Sequence, residues 1–475
     1  MPIKLKTKKE RNEIKYSISI YSHKMSLLDE SSAECLNSEL ELFEIPPTQT
    51  SIGDSYWVNY FPTTSLNRNA PLEFVIKTSN DVYLDLAHTM LYMQTRILKE
   101  DNTPMVKSAE SDLRDPKNSV SCINYYHATQ WKNIEVFING RLISTSDNMA
   151  SYRAYLESLL TFSRDAKNDQ LACSLFHLDT GDNIDVFEDD IISDINEAKN
   201  IGLQKRLKKT GYSKLFETQG RIHADIFNQS KLFPGGHEIR IKFHRHASDY
   251  SLFSKSSESR YNISNQKAVL MVRHCQISSH ILESHNKALQ TRNLKFPLNR
   301  VLMKFYTHGS GLNDLSEQNL VTGPLPTKVI IGLVRSDAFN GQLDKNPLNF
   351  QHFNLQNIVL RKNGNPLPLE GIETNFTDGI YYQAYMSLIQ ATGNLYSDGG
   401  FNISPNQYQQ GCVLVGFDLT PDLGNCDSLN LINEGTLSLE IKLASSSQTS
   451  ITTVVYLSYE SILEIDRDGN VFLNE

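Results

Sequence analysis

His244 and His246, in the stretch KFHRHASD, stand two apart in a segment that alternates like a strand. Two such rings fall on one face and could supply two ligands to a metal. A catalytic zinc site wants three protein ligands and a structural one four, and no third stands at an obvious spacing, so both are read as partly buried or interface histidines. HGSGL, residues 308–312, sets Ser310 between glycines. The strand, elbow and helix that expose a nucleophile in GxSxG enzymes are not indicated around it, and we read a turn. DRDGN, residues 466–470, has the look of a calcium loop, but its glycine comes at the fourth position instead of the sixth and no Glu follows at the twelfth; it too reads as a turn. No GxGxxG, GxxxxGK[ST] or HExxH motif occurs. The expectation is a non-enzyme with no catalytic, cofactor-binding or metal-ligating residues and no cofactor.

Charge points the same way. The formal net charge is −8, and residues 179–199, DTGDNIDVFEDDIISDINEAK, carry −7 of it, leaving the remaining surface near neutral. That is not the footprint of a nucleic-acid binder, so no sequence-specific nucleic-acid contact is expected. The basic start, with Lys4, Lys6, Lys8, Lys9 and Arg11, reads as a short mobile tail. The six cysteines form no CxxC pair and read as reduced thiols. No apolar run approaches the length of a membrane span, and the start lacks the apolar segment of a secretory signal, so a soluble, non-secreted protein is expected.

The elements that would position these residues repeat. NIEVFINGRLIS begins at 133 and NIVLRKNGNPLP at 357, 224 positions later; each alternates and then reaches Asn-Gly, the signature of a type I′ hairpin turn. In the second copy Pro366 and Pro368 cannot donate ladder hydrogen bonds, which makes that arm short or an edge. After the first hairpin Tyr152, Tyr155, Leu156, Leu159 and Leu160 fall at helical spacing, and after the second Tyr382, Tyr385, Met386 and Ile389 do the same. These aromatic positions are read as core staples. Each unit then reaches an alternating strand entered through Gly, GHEIRIKF and GTLSLEIKL. Hairpin, helix and late strand in one order, twice, are an internal duplication of a domain of about 200 residues.

From Tyr155 to Ile239 is 84 residues and from Tyr385 to Leu439 is 54, so the first unit carries 30 extra. The acidic stretch and the basic QKRLKKTGYSK fill that gap, which reads as a solvent-exposed loop. Elsewhere short strands such as TKVIIGLV and CVLVGFDL alternate with Gly, Pro, Asn and Asp, arguing for two antiparallel sandwiches joined by the polar stretch at 285–297.

SELELFEIPPTQTSI (38–52), LEFVIKTSNDVYLDLAHTMLYMQTRI (72–97) and YRAYLESLLTFSRDAKNDQL (152–171) resemble the opening half of major capsid proteins of Polinton (Maverick) elements and adintovirus-like viruses. GPLPTKVIIGLVRSDAFNG (323–341), NPLNFQHFNLQNIVLRKNG (346–364), GFDLTPD (416–422) and TTVVYLSYESILEID (452–466) resemble the same group in its second half. The resemblance runs in order over residues 38–466 and leaves residues 1–24 outside. It implies an all-β double jelly-roll, hexon-like: two eight-stranded sandwiches in tandem, with short helices and loop insertions. The implied domains are an N-terminal extension and arm over 1–50, a first jelly roll over 51–288 with its charged insertion at about 179–210, and a second over 289–475. It also implies a homotrimeric capsomer of an icosahedral shell, meeting neighbouring capsomers and a penton or minor capsid protein in the virion. The charged excursion would be an outward tower. Two other classes compete: a jelly-roll carbohydrate-binding or glycan-processing protein, and a cellular β-sandwich protein co-opted from such an element.

Overall fold

The computed structural model describes residues 29, 31–32, 35, 37–43, 45–66, 70–105, 120–188, 194–255, 260–396, 400–423 and 428–473. The basic start, read as a tail, lies outside the described residues, as do Cys426 and Asp189 and Asp190 of the acidic run. Residues 1–50 and 51–475 form two units. In the first, the described residues hold a single 3-10 turn at Ser38–Leu40.

The second unit contains two sandwiches. The first is built from β1 (Ile52–Tyr60), β2 (Leu72–Ile76), β3 (Val82–Lys99), β4 (Val120–Cys122), β5 (Trp131–Ile138), β6 (Arg141–Ser144), β7 (Phe216–Arg221), β8 (Ile239–Arg245), β9 (Leu252–Ser254) and β10 (Tyr261–Ile277). Its sheets run β1-β10-β3-β7 and β2-β8-β5-β6, with β4 and β9 forming a separate ribbon. The second is built from β11 (Leu294–His308), β12 (Glu317–Pro324), β13 (Lys328–Arg335), β14 (Leu355–Lys362), β15 (Asn365–Glu373), β16 (Leu414–Asp418), β17 (Glu434–Leu443) and β18 (Ile451–Ile465), and β19 (Val471–Leu473) pairs with β18. Its sheets run β11-β18-β13-β16 and β12-β17-β14-β15. With the β4–β9 ribbon set aside, each lobe places its first, eighth, third and sixth strands in one sheet and its second, seventh, fourth and fifth in the other. All the named strand pairings are antiparallel. This is the jelly-roll order, written twice.

The hairpins at 133–144 and 357–368 are β5–β6 and β14–β15, the fourth and fifth strands of their lobes. Ile134, Val136 and Ile138 are buried, as are Ile358 and Leu360, in keeping with the alternation. The proline-bearing β15 is an edge strand. Asn139 and Asn363 both have φ of 51°, and the glycines after them, Gly140 and Gly364, both 81°, the left-handed backbone of a type I′ turn. The asparagine has a second job. Asn139 Oδ1 accepts from the Glu238 amide at 3.0 Å, and Asn363 Oδ1 accepts from the Thr436 amide at 2.8 Å, so each turn latches the start of its lobe's seventh strand. A side chain on Gly435, which opens GTLSLEIKL, would collide with the Asn363 amide.

Among the described residues, the four helices of ten or more residues are α1 (Ala150–Thr161), α2 (Ile201–Thr210), α3 (Ser279–Leu289) and α4 (Tyr382–Ala391). The stretch read as a polar linker, 285–297, is taken up at its start by helix α3, none of whose residues is buried, and at its end by β11 from Leu294 on. In α1 the aromatic stripe is buried as expected. Helix α4 departs from expectation. Its buried residues are Ala384, Leu388 and Ala391, while Tyr382 is 63% and Met386 45% exposed. The reason is Gly416 of β16: a Cβ there would lie 2.6 Å from Ala391 Cβ, so the helix settles on Ala384, Leu388 and Ala391, keeps Tyr385 against the core, and turns Tyr382 and Met386 outward.

The charged excursion is the second correction. Among its described residues it is not a solvated loop throughout, and α2 at its end buries Gly202, Leu203, Gln204, Arg206, Leu207 and Thr210. The Arg206 guanidinium reaches Asp179 Oδ1 at 2.6 Å with both side chains almost wholly buried. Net charge cannot reveal that an acid and a base far apart in sequence neutralise one another.

Asn139 holds an extra bond, from Nδ2 to the Gly469 carbonyl at 2.7 Å in the β18–β19 turn. Asn139→Ala should therefore lower stability by about 2 kcal/mol and Asn363→Ala by about 1 kcal/mol, read as the shift in urea unfolding midpoint. Equal losses would show that the extra bond contributes nothing.

Candidate assembly surfaces

The residues singled out for chemistry do not converge. His244 Nε2 stands 3.4 Å from Glu135 Oε1 on the neighbouring strand. His246 lies one residue past β8, stacked on Tyr250 at 3.7 Å between ring centroids and 3.2 Å from the Ser151 hydroxyl. Ser310 sits in the turn after β11, where the Gly311 amide donates to the Ser447 carbonyl. Asp466 spends its carboxylate on its own turn, accepting from the Asp468 and Asn470 amides at 2.9 and 2.8 Å. Among the described residues no group of three His, Cys, Asp or Glu is placed to hold a metal, and no helix is long and apolar enough to cross a membrane. An open groove of about 750 Å³ beside β14 and β15 carries Glu373 and Asp378, both exposed, with Asp378 held by Asn375 Nδ2 at 2.7 Å.

What the fold does build is an interface between its lobes. Arg153 of α1 is fully buried; its Nε donates to Glu157 Oε1 at 2.9 Å, and its Nη2 lies 2.7 Å from Asp225 Oδ1. The same Asp225 oxygen accepts from the Val301 amide of β11, in the other lobe, at 3.3 Å. On the far side of Glu157, Oε2 lies 2.6 Å from His223 Nδ1, and His223 Nε2 lies 2.8 Å from the Tyr125 hydroxyl. A neutral ring satisfies both contacts, donating to the carboxylate and accepting from the phenol. Burial alone would push Glu157 up, but the Arg153 charge and the His223 hydrogen bond outweigh it and bring the carboxyl down to about 2.

Apolar packing surrounds this chain of ions. Ile222, Ala224, Ile226, Phe227 and Phe233, from the connection between β7 and β8, share one core with Phe296 and Leu298 of β11 and Leu463 and Ile465 of β18. Tyr152 of α1 stacks on Phe339 at 5.5 Å and donates to the Pro347 carbonyl at 2.9 Å. The acidic excursion adds a second seam: Asp185 accepts from the Asn346 amide at 2.8 Å and from Asn349 Nδ2 at 2.7 Å, and Asp182 from Gln410 Nε2 at 2.6 Å.

Other apolar surfaces stay bare. None of the nine residues of edge strand β1 is buried, and Trp57 is 55% exposed. Between β16 and β17, Leu431 is 87% and Ile432 73% exposed. The signal for the connection was present in the sequence, since LNLI sets large apolar residues in an Asn- and Asp-bearing connection where a solvated loop has no use for them.

Two outcomes follow from the interface. Asp225→Ala, which strips Arg153 of one counter-ion and frees the Val301 amide, should lower stability by about 3 kcal/mol in urea unfolding; a change near zero would mean the network is not holding the lobes. Burial pushes the pKa of His127, His177 and His246 down to about 3 each. The unfolded chain takes up those protons near pH 6.5, so this stability is complete above about 6.5 and is lost as pH falls toward 3, by about 1.4 kcal/mol per unit per histidine at most. Urea midpoints measured from neutral pH down to about pH 4 should fall steeply, and a flat profile would contradict the buried neutral rings.

No known protein-family model matches the chain. Among curated proteins, the uncharacterized protein F54H12.2 of Caenorhabditis elegans is 21% identical over 433 residues, covering 89% of this chain and 97% of that protein. Among solved structures, a chain of the Sputnik virophage seen by cryo-EM superposes with a TM-score of 0.61 at 11% identity over 94% of both chains. The Faustovirus major capsid protein does so with a TM-score of 0.54 at 10% identity, over 96% of this chain and 97% of that one. The mavirus major capsid protein gives 0.50 at 8% identity, over 95% and 97%. With the strand order repeated in each lobe, these likenesses along nearly the whole length give the chain the double jelly-roll fold.

Proposed function

We propose that the chain is a major capsid subunit of a Polinton- or adintovirus-like double-stranded DNA virus, or of a genome-resident copy of one. Three copies form a pseudo-hexagonal capsomer, and capsomers join one another and a penton or minor protein to build the shell of a virion. The observation that carries the reading is likeness along nearly the full length of both chains to proteins named as major capsid proteins. A jelly roll by itself hosts many functions, so the fold alone would be a weak warrant. The exposed aromatic side chains of the bare edge strand and the apolar ones of the connection add to it, because a protein working as a monomer has no reason to keep them exposed. The finer assignment draws on the sequence resemblance and on the nematode relative, a near-full-length counterpart in an animal, as expected of a capsid gene carried in animal genomes.

The mechanism is burial. Trimerisation covers apolar and aromatic surface at interfaces of about 2,000 Å² or more, and weaker contacts between capsomers let misplaced ones leave. Size-exclusion chromatography with light scattering should return three times the mass of the chain. Co-expression with a penton partner should yield closed particles under the electron microscope. A stable monomer that binds glycans would replace this reading with a carbohydrate-binding one, and a monomer that binds nothing would point to a co-opted cellular protein.

A further inference from the structure

The interface between the lobes joins unlike surfaces of like units. The first lobe contributes the connection between its sixth and seventh strands, with Ile226 and Phe227 buried and Asp225 bonded to β11. The second contributes its first strand, β11, an edge strand with Phe296, Leu298, Val301 and Met303 buried. Since the lobes share one topology, each of these surfaces exists twice. The second copy of the connection is the segment between β16 and β17, where Leu429, Leu431 and Ile432 are exposed. It is held in place, because Glu460 of β18 accepts from the Asn430 amide at 2.6 Å and from its side chain at 3.1 Å. The second copy of the strand is β1, likewise an edge and bare. One half of a contact is thus left over in each lobe: three exposed apolar side chains on the connection, and on β1 an edge that exposes Tyr56 and Trp57 among polar residues.

We propose that Leu429, Leu431 and Ile432 of one chain dock on β1, around Trp57, of a second copy, repeating between chains the contact that the first lobe makes with β11 within one. An interface of unlike surfaces continues head to tail and either closes into a ring or grows into a filament. The proposal rests on the trimeric reading above, in which three copies close the ring.

Trp57→Asp and Leu431→Asp each place a charge on one half of the contact at an exposed position, so monomer folding, followed by circular dichroism and urea unfolding, should be unchanged. Each variant alone should be monomeric at concentrations where the wild type is trimeric, with association weakened at least about thirtyfold. Mixed at high concentration, the two should form a 1:1 dimer and nothing larger, because one intact strand meets one intact connection and the remaining halves are both blocked. With benzoylphenylalanine replacing Trp57, irradiation of the trimer should crosslink it to the peptide carrying Leu429 to Ile432 of another chain. A wild-type trimer that survives both substitutions, a mixture that stays monomeric, or a crosslink to residues 40–45 instead would overturn this pairing and leave the trimer standing. A monomeric wild type would overturn the trimeric reading itself.

Discussion

An edge strand presents a row of unpaired amides and carbonyls, and when its side chains are apolar as well, something must cover it. In this chain β11 meets that constraint from within. Asp225 takes the Val301 amide, and because Asp225 is itself buried, Arg153 comes in to balance it. Arg153, fully buried, then needs Glu157, Glu157 is completed by His223, and His223 in turn by Tyr125. Each member is tolerable only because the next is present. The chain of bonds joins β11 to α1, to the connection after β7 and to the segment before β5, and so sets how the second lobe stands on the first.

The lobes are alike in strand order and unlike in what their surfaces do. Asn139 and Asn363 perform the same latch with the same backbone angles, yet the helices after them diverge. Helix α1 keeps its tyrosines inside, against the other lobe, while α4 sits on Gly416 through Ala391 and turns Tyr382 and Met386 out. Duplication explains the shared frame. The divergence has a physical cause in position, because one lobe has a neighbour within the chain on that side and the other does not.

Much of the fold was legible in residues 133–144 and 357–368 and in the helix and strand downstream of each. Period-two alternation and an Asn-Gly turn are local properties, and they located equivalent strands in both lobes. Helical spacing located α1 and α4 and the core-facing Tyr385, but misjudged Tyr382 and Met386, because the answer lies in a glycine of β16 about thirty residues away. The acidic excursion was misjudged for a related reason. Counting charges gives the sum, whereas Asp179 and Asp185 are held by Arg206 and by asparagines of the other lobe.

By itself the sequence determined the all-β class, the duplication, the two hairpins and the likeness to capsid proteins, since each is carried by patterns within a few dozen residues. Only the tertiary structure decided which apolar surfaces are spent inside the chain and which remain bare. That depends on how two sandwiches of the same topology meet, and on pairings such as Asp225 with Val301, 76 residues apart, that no local pattern encodes.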